Sequence, residues 1–158
     1  MIEIKLCGLK EPSHIEAAFN LGIKYFGFVF FEKSPRFLRN DSAKSLISLT
    51  PPGIIKVGLV VNPSDECLNS ISALNLDMIQ LHGSESIDRV KEIKSKFNFS
   101  LIKAIGIKEK KDLDLVESYS EVADYLLIDA KPSPDSSLPG GNGIKFDWTI
   151  LELSLIHI

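Results

Sequence analysis

The sequence holds little that could build a covalent or metal-held scaffold. Only two cysteines occur, Cys7 and Cys67, far apart in the chain. That excludes a disulfide framework and fits a reducing cytosol. The three histidines, His14, His82 and His157, have no metal-ligand spacing with one another or with the cysteines, so no structural zinc site is expected. No stripe of Lys and Arg interleaved with aromatics is present, and the net charge is -3, which argues against a nucleic-acid partner. No apolar run approaches the ~18–20 residues of a membrane span, and the amphipathic start Met1-Ile2-Glu3-Ile4-Lys5 is not a signal peptide. A G-x-G-x-x-G after the first apolar run is also missing, which disfavours a dinucleotide-binding sheet.

What is present is a repeat of strand, then helix. Short runs rich in β-branched and aromatic residues recur at Ile2–Cys7, Tyr25–Phe30, Lys56–Val61, Met78–Leu81, Leu101–Ile105 and Tyr125–Asp129. Segments of helical period separate them. Pro12 suits a first helical turn, Ile15, Ala18 and Phe19 form an apolar stripe, and Gly22 ends that helix. Asp41 or Ser42 is expected to cap a second helix that Pro51-Pro52-Gly53 stops. Pro63-Ser64-Asp65 opens a third helix with Leu68, Ile71 and Leu74, and Ser84 or Ser86 caps a fourth with Val90, Ile93 and Phe97. Asp112 begins a fifth stripe of Leu113, Val116 and Tyr119. Strands alternating with helices imply right-handed crossovers and a parallel sheet buried on both faces. Between an open doubly wound sheet and a (β/α)8 barrel, the polar and glycine residues gathered at strand ends favour the barrel.

In a barrel all C-terminal strand ends open on one face. Cys7 ends the first strand and Asp129 the sixth, so a thiol and a carboxylate would flank one pocket as a possible base and acid. Each has an ordinary alternative, a packed cysteine and a turn aspartate. A complete barrel takes about 200 residues or more, and the chain of 158 residues supplies six strands. We therefore expect an incomplete α/β barrel over residues 1–152. The end Leu153-Ser154-Leu155-Ile156-His157-Ile158 can be encoded by a transposon-end sequencing adapter and is read as a non-native tail.

Taken together, an ordered set of motifs resembles phosphoribosylanthranilate isomerase. The set comprises Lys5-Leu6-Cys7-Gly8-Leu9, Gly27-Phe28-Val29-Phe30, Ser34-Pro35-Arg36-Phe37, Val57-Gly58-Leu59-Val60-Val61-Asn62, Gln80-Leu81-His82-Gly83, Leu127-Ile128-Asp129 and Gly140-Gly141-Asn142-Gly143 before Phe146-Asp147-Trp148. The resemblance implies a TIM barrel and a cytoplasmic enzyme of tryptophan biosynthesis, monomeric or homodimeric in its parent form. Its reaction is an Amadori rearrangement of N-(5-phosphoribosyl)anthranilate to 1-(2-carboxyphenylamino)-1-deoxyribulose 5-phosphate. It needs no metal or organic cofactor, because the substrate nitrogen serves as electron sink. By the same resemblance Asp129 is the general acid that opens the ring and Cys7 the general base that removes the C2′ proton. An acid there must stay protonated and a thiol base must ionise readily, so both ordinary pKa values would have to shift.

Arg36, in a turn stiffened by Pro35, suits the anthranilate carboxylate through its planar fork. Gln80 and His82 stand two apart on one strand, so they point together and at least one should face the pocket. The Gly140–Gly143 loop is expected to fold over Asp129 and deliver Trp148 onto apolar surface, with Asn142 where a Thr or Ser is usual. Phosphate binding belongs to loops after strands seven and eight, absent here, so the short chain is expected to be inactive. Cys67 is read as packing. The alternatives are an indole-glycerol-phosphate synthase, which would need a strand-end Lys and Glu, and a non-catalytic fragment. Against the synthase, Lys103 is a mid-strand lysine with no evident Glu partner.

Overall fold

The structure is a computed structural model that describes residues 2–132, 140, 145 and 147–152. Six parallel strands pair in sequential order. They are β1 (Lys5–Cys7), β2 (Tyr25–Val29), β3 (Ile55–Val60), β4 (Met78–Leu81), β5 (Ser100–Ile107) and β6 (Tyr125–Ala130). Helices α1 (Pro12–Asn20), α2 (Asn40–Ser48), α3 (Asp65–Ser72), α4 (Ile87–Lys96) and α5 (Leu113–Ser120) make the crossovers, and a short α6 (Thr149–Glu152) follows β6. This is the expected incomplete (β/α)8 barrel. The suspect end, residues 153–158, lies outside the described residues, as do Gly141, Asn142, Gly143 and Phe146.

The two faces of the sheet bury different cores. The outer face packs Phe26, Phe28, Val60, Ile79, Leu81 and Leu101 against the helices. The inner face is a smaller cluster of Val57, Met78 and Ile102, with Tyr25, Ile55 and Leu127 packed on it. Strands buried on both sides explain the nearly continuous apolar runs.

Local signals set most boundaries. Pro12 occupies the first turn of α1, and Gly22, at φ 70°, turns the chain after it. Ser64 and Ser86 cap α3 and α4 by accepting the N–H of Cys67 and Arg89. Four expectations need correction. The first strand begins at Lys5, and Ile2 and Ile4 stand exposed, because only residues 5–7 find a ladder partner on β2. Helix α2 starts at Asn40 with Arg39 before it, ahead of Asp41 and Ser42. There the Leu38 N–H bonds to the Val29 carbonyl, pulling the preceding chain onto the sheet and fixing where the helix can begin. Phe19 is 48% exposed and takes little part in the α1 stripe. Trp148 is 68% exposed, so it does not cover apolar surface as expected.

Candidate functional site

Alternation along the strands carries Lys5 and Cys7, Val29, Leu59 and Val61, Gln80 and His82, and Leu127 and Asp129 to the inner face. There they line a cavity of about 300 Å³ at the C-terminal rim, with Arg36 and Gly140 over it. All five residues expected to work together, Cys7, Arg36, Gln80, His82 and Asp129, border this one space.

Each is held by a specific device. Cys7 lies beside Gly27 on β2, where a Cβ would stand 2.8 Å from its Sγ and 2.9 Å from its Cα. The missing side chain on β2 is therefore what lets the thiol sit on the rim. Gly8 then turns at φ 90°, and the N–H groups of Gly8 and Leu9 both donate to the Gly27 carbonyl. That turn leaves room for the Arg36 side chain, whose Nε would be 3.1 Å from a Cβ at position 8. Arg36 in turn donates from a guanidinium nitrogen to the Cys7 carbonyl at 3.3 Å. Its own N–H is taken by Ser34 Oγ at 3.1 Å, so the Ser-Pro-Arg turn aims the guanidinium across the end of β1.

On β4 the amide nitrogen of Gln80 lies 2.8 Å from His82 Nδ1. The side-chain amide of Gln80 thus holds the Nδ1 edge of the imidazole and leaves Nε2 facing β6. Nε2 faces Asp129 Oδ2 at 3.5 Å, while Asp129 Oδ1 accepts the Ala130 N–H. Burial pushes the His82 pKa down. The Asp129 charge pulls the other way, and Lys103 and Lys5 press it lower again. A lowered pKa favours the neutral imidazole at neutral pH, with Nε2 3.5 Å from the Asp129 carboxylate. Gly140 closes the corner: a Cβ there would fall 2.9 Å from Asp129 Oδ2 and against the imidazole. Gln80 Oε1 is buried and has no hydrogen-bond partner among the described residues. Among the described residues no three His, Cys, Asp or Glu side chains gather as a metal-ligand set.

Two features escaped the sequence reading. Lys5, two residues before Cys7, puts its ammonium into the same cavity with no hydrogen-bond or carboxylate partner among the described residues. The period of two that paired Gln80 with His82 could have found it. The second is a correction. Lys103 does have a Glu partner: its Nζ is 2.9 Å from Glu85 Oε2, with both side chains almost fully buried. The pair lies on the outer face of β5 beneath Tyr119, and hence outside the cavity, unlike a lysine serving a strand-end site. Cys67 packs against the helix-side core, where burial raises its pKa and keeps it a thiol.

The family model described as N-(5'phosphoribosyl)anthranilate (PRA) isomerase matches residues 4–156. The curated N-(5'-phosphoribosyl)anthranilate isomerase of Paracoccus denitrificans is 48% identical over 151 residues, covering 95% of this chain and 70% of the relative. That of Brucella suis is 42% identical over the same length, covering 68% of the relative. Among solved structures, phosphoribosyl anthranilate isomerase from Thermotoga maritima superposes with a TM-score of 0.82 at 29% identity, over 96% of this chain and 70% of that one. A second solved isomerase, in complex with reduced 1-(o-carboxyphenylamino)-1-deoxyribulose 5-phosphate, gives 0.80 at 26% identity over 98% of this chain and 70% of that one. Ordered motifs, sheet order and overall similarity agree, and the chain belongs to the N-(5'-phosphoribosyl)anthranilate isomerase family.

Proposed function

We propose that the rim cavity carries out the family's isomerisation, converting N-(5'-phosphoribosyl)anthranilate to 1-(o-carboxyphenylamino)-1-deoxyribulose 5-phosphate. The observation that supports it best is the convergence of a thiol, a carboxyl–imidazole pair and a guanidinium on one cavity of about 300 Å³. In this reading Asp129 delivers a proton to the ring oxygen, the C1′–O bond breaks, and the nitrogen lone pair forms the iminium. Cys7 takes the C2′ proton, the electrons return to nitrogen, and the resulting enolamine tautomerises to the ketone. Charge gained and lost stays within the substrate, so proton handling is all the protein must supply. Arg36 holds the anthranilate carboxylate. His82, neutral and donating from Nε2, steadies Asp129 once it has given up its proton. Gln80 fixes the tautomer of His82.

The ligand class is a small phosphosugar carrying an aromatic acid. A cytoplasmic setting fits that substrate, and among the described residues no helix is long and apolar enough to cross a membrane. The test combines fluorescence-detected turnover of the substrate with calorimetric binding of the reduced product analogue. In the full-length parent, Cys7→Ala and Asp129→Ala are each expected to lower kcat by about 10²–10⁴-fold while leaving analogue binding nearly intact. Near-normal turnover in Cys7→Ala removes the base assignment. A full-length parent that neither binds the analogue nor turns over substrate sinks the reading, whereas the short chain is itself expected to be inactive.

A further inference from the structure

Behind His82, on the helix side of the sheet, one carboxylate gathers the ends of two loops. Glu85 Oε1 accepts the N–H of Asn62, after β3, at 2.8 Å and that of Gly83, after β4, at 3.1 Å. Oε2 accepts Gly83 again at 3.1 Å and the Lys103 ammonium at 2.9 Å. Lys103 also donates to the carbonyls of Gly83 at 2.8 Å and Ala104 at 2.9 Å, and its Nζ lies 5.5 Å from the centre of the Tyr119 ring. Tyr119 donates its hydroxyl proton to the Glu85 carbonyl at 2.6 Å. Asn62 stands at φ 45°, a strained setting for a non-glycine residue, and its side chain accepts the Ser84 N–H at 2.9 Å. A Cβ on Gly83 would lie 2.5 Å from Asn62 Oδ1, so the two loops meet as closely as backbone allows. His82 is the residue directly before Gly83, and its N–H bonds to the Val60 carbonyl. The clamp therefore grips the chain on both sides of the β3 and β4 rim.

A buried ion pair is seldom the most stabilising filling for its space; neutral or apolar replacements of like volume often match it. This one is fully hydrogen-bonded and makes no hydrogen bond to a residue that lines the cavity; its nearest tie to the site is the Gly83 backbone, next to His82. We propose that the Lys103–Glu85 pair is a positioning device, which grips the Gly83 backbone from behind the sheet and through it keeps the His82 ring buried against Asp129. Lys103 and Glu85 touch no substrate in this arrangement; they act through His82. The groups facing His82 are Asp129 from β6, Lys5 from β1 and the amide of Gln80 on its own strand, with Lys103 acting from the opposite face of β5. Lys131, which shares a neighbouring hollow with His82, is tied up with Asp112 at 2.7 Å. Of these, the two lysines oppose protonation of His82 and Asp129 favours it. The value of the device for turnover rests on the proposed role of Asp129; its effect on His82 does not.

The experiment is a pH titration of the His82 imidazole by long-range proton–nitrogen NMR on the whole chain, with His14, half-exposed in the first turn of α1, as internal reference. The double variant Lys103→Met with Glu85→Gln removes both charges at nearly constant volume. A second neutral pair, Lys103→Gln with Glu85→Gln, keeps donors for the loop carbonyls and is read the same way should the first fail to fold. The expected result is a His82 midpoint that rises towards that of a free imidazole while His14 holds its own. The tautomer balance of His82 should also shift as its contacts with Gln80 and Asp129 loosen. A purely structural pair would change the melting temperature and leave the His82 midpoint and tautomer where they were, and that outcome overturns the proposal. Turnover is not the readout, so failure of the Asp129 assignment would leave the result standing.

Discussion

At Gly27 a single hydrogen atom decides where the candidate base can stand. Any side chain there meets the Cys7 thiol at 2.8 Å and, more seriously, the Cys7 Cα at 2.9 Å, and backbone cannot swing aside as a side-chain tip can. Gly27→Ala should therefore push β1 away from β2, at a cost of about 1–3 kcal/mol in a thermal or urea melt, with turnover falling alongside. A variant as stable and active as the parent would show that β1 shifts freely. Arg36 makes a different demand. Lysine keeps the charge but loses the planar fork, so Arg36→Lys should raise KM with kcat little changed if the contact is equally strong in ground and transition states. A steady-state assay decides, and a kcat loss at constant KM would place Arg36 in the transition state instead.

Helix starts are where sequence reading and structure diverge most instructively. Ser64 and Ser86 stand before apolar stripes, and both do cap their helices. Ser42 sits before a similar stripe, yet the chain has already entered α2 two residues earlier. Replacing Ser86 by Ala should cost ~1 kcal/mol, the usual worth of a cap. Ser42→Ala, in an exposed first turn, should stay within about 0.5 kcal/mol. Equal losses in the two variants, measured by denaturant melts, would mean that the pairing of Leu38 with Val29 does not set the start of α2. The difference could not be read from the sequence, because propensity is local while the pull on Leu38 comes from β2.

Over the whole molecule, carboxylates tie sheet and helices together. Burial opposes ionisation of Asp112, but Lys131 and the N–H groups of Lys108 and Glu109 outweigh it and hold its pKa below the usual range. Asp124 is likewise lowered: burial again opposes, and Lys94 and the Leu101 N–H prevail. Folded pKa values below the unfolded ~3.9 mean that both contributions are complete above that value and disappear as pH falls through the folded pKa. Melting temperature should decline modestly as pH falls through about 6.5, where the unfolded chain protonates His82 and the folded chain resists it. It should drop further below about pH 4, this acid step being shallower in Asp112→Asn. An acid step in Asp112→Asn as steep as in the parent would assign that loss to other groups. The sheet also ends on two strands with one neighbour each, β1 and β6, and Leu6 and Tyr125 on them are 41% and 54% exposed. Unpaired strand edges with apolar side chains favour association. Sedimentation of the 158-residue chain should show association that grows with concentration. A monomer at all concentrations would mean that these edges are covered.

The strand–helix alternation, the parallel sheet and the rim positions of Cys7 and Asp129 were determined by the sequence alone. Each follows from periodicity, from glycine and proline punctuation, or from motifs in a fixed order, all of which act over a few neighbouring residues. The shared direction of Gln80 and His82 was legible for the same reason, since two residues along a strand is one repeat of the pleat. Only the tertiary structure decided that Lys103 finds Glu85, that Gly27 makes room for the thiol, and that Trp148 faces outward. Those facts join residues from different β/α units. Their meeting depends on strand register and on how the helices lie over the sheet, and no local pattern in either partner encodes it.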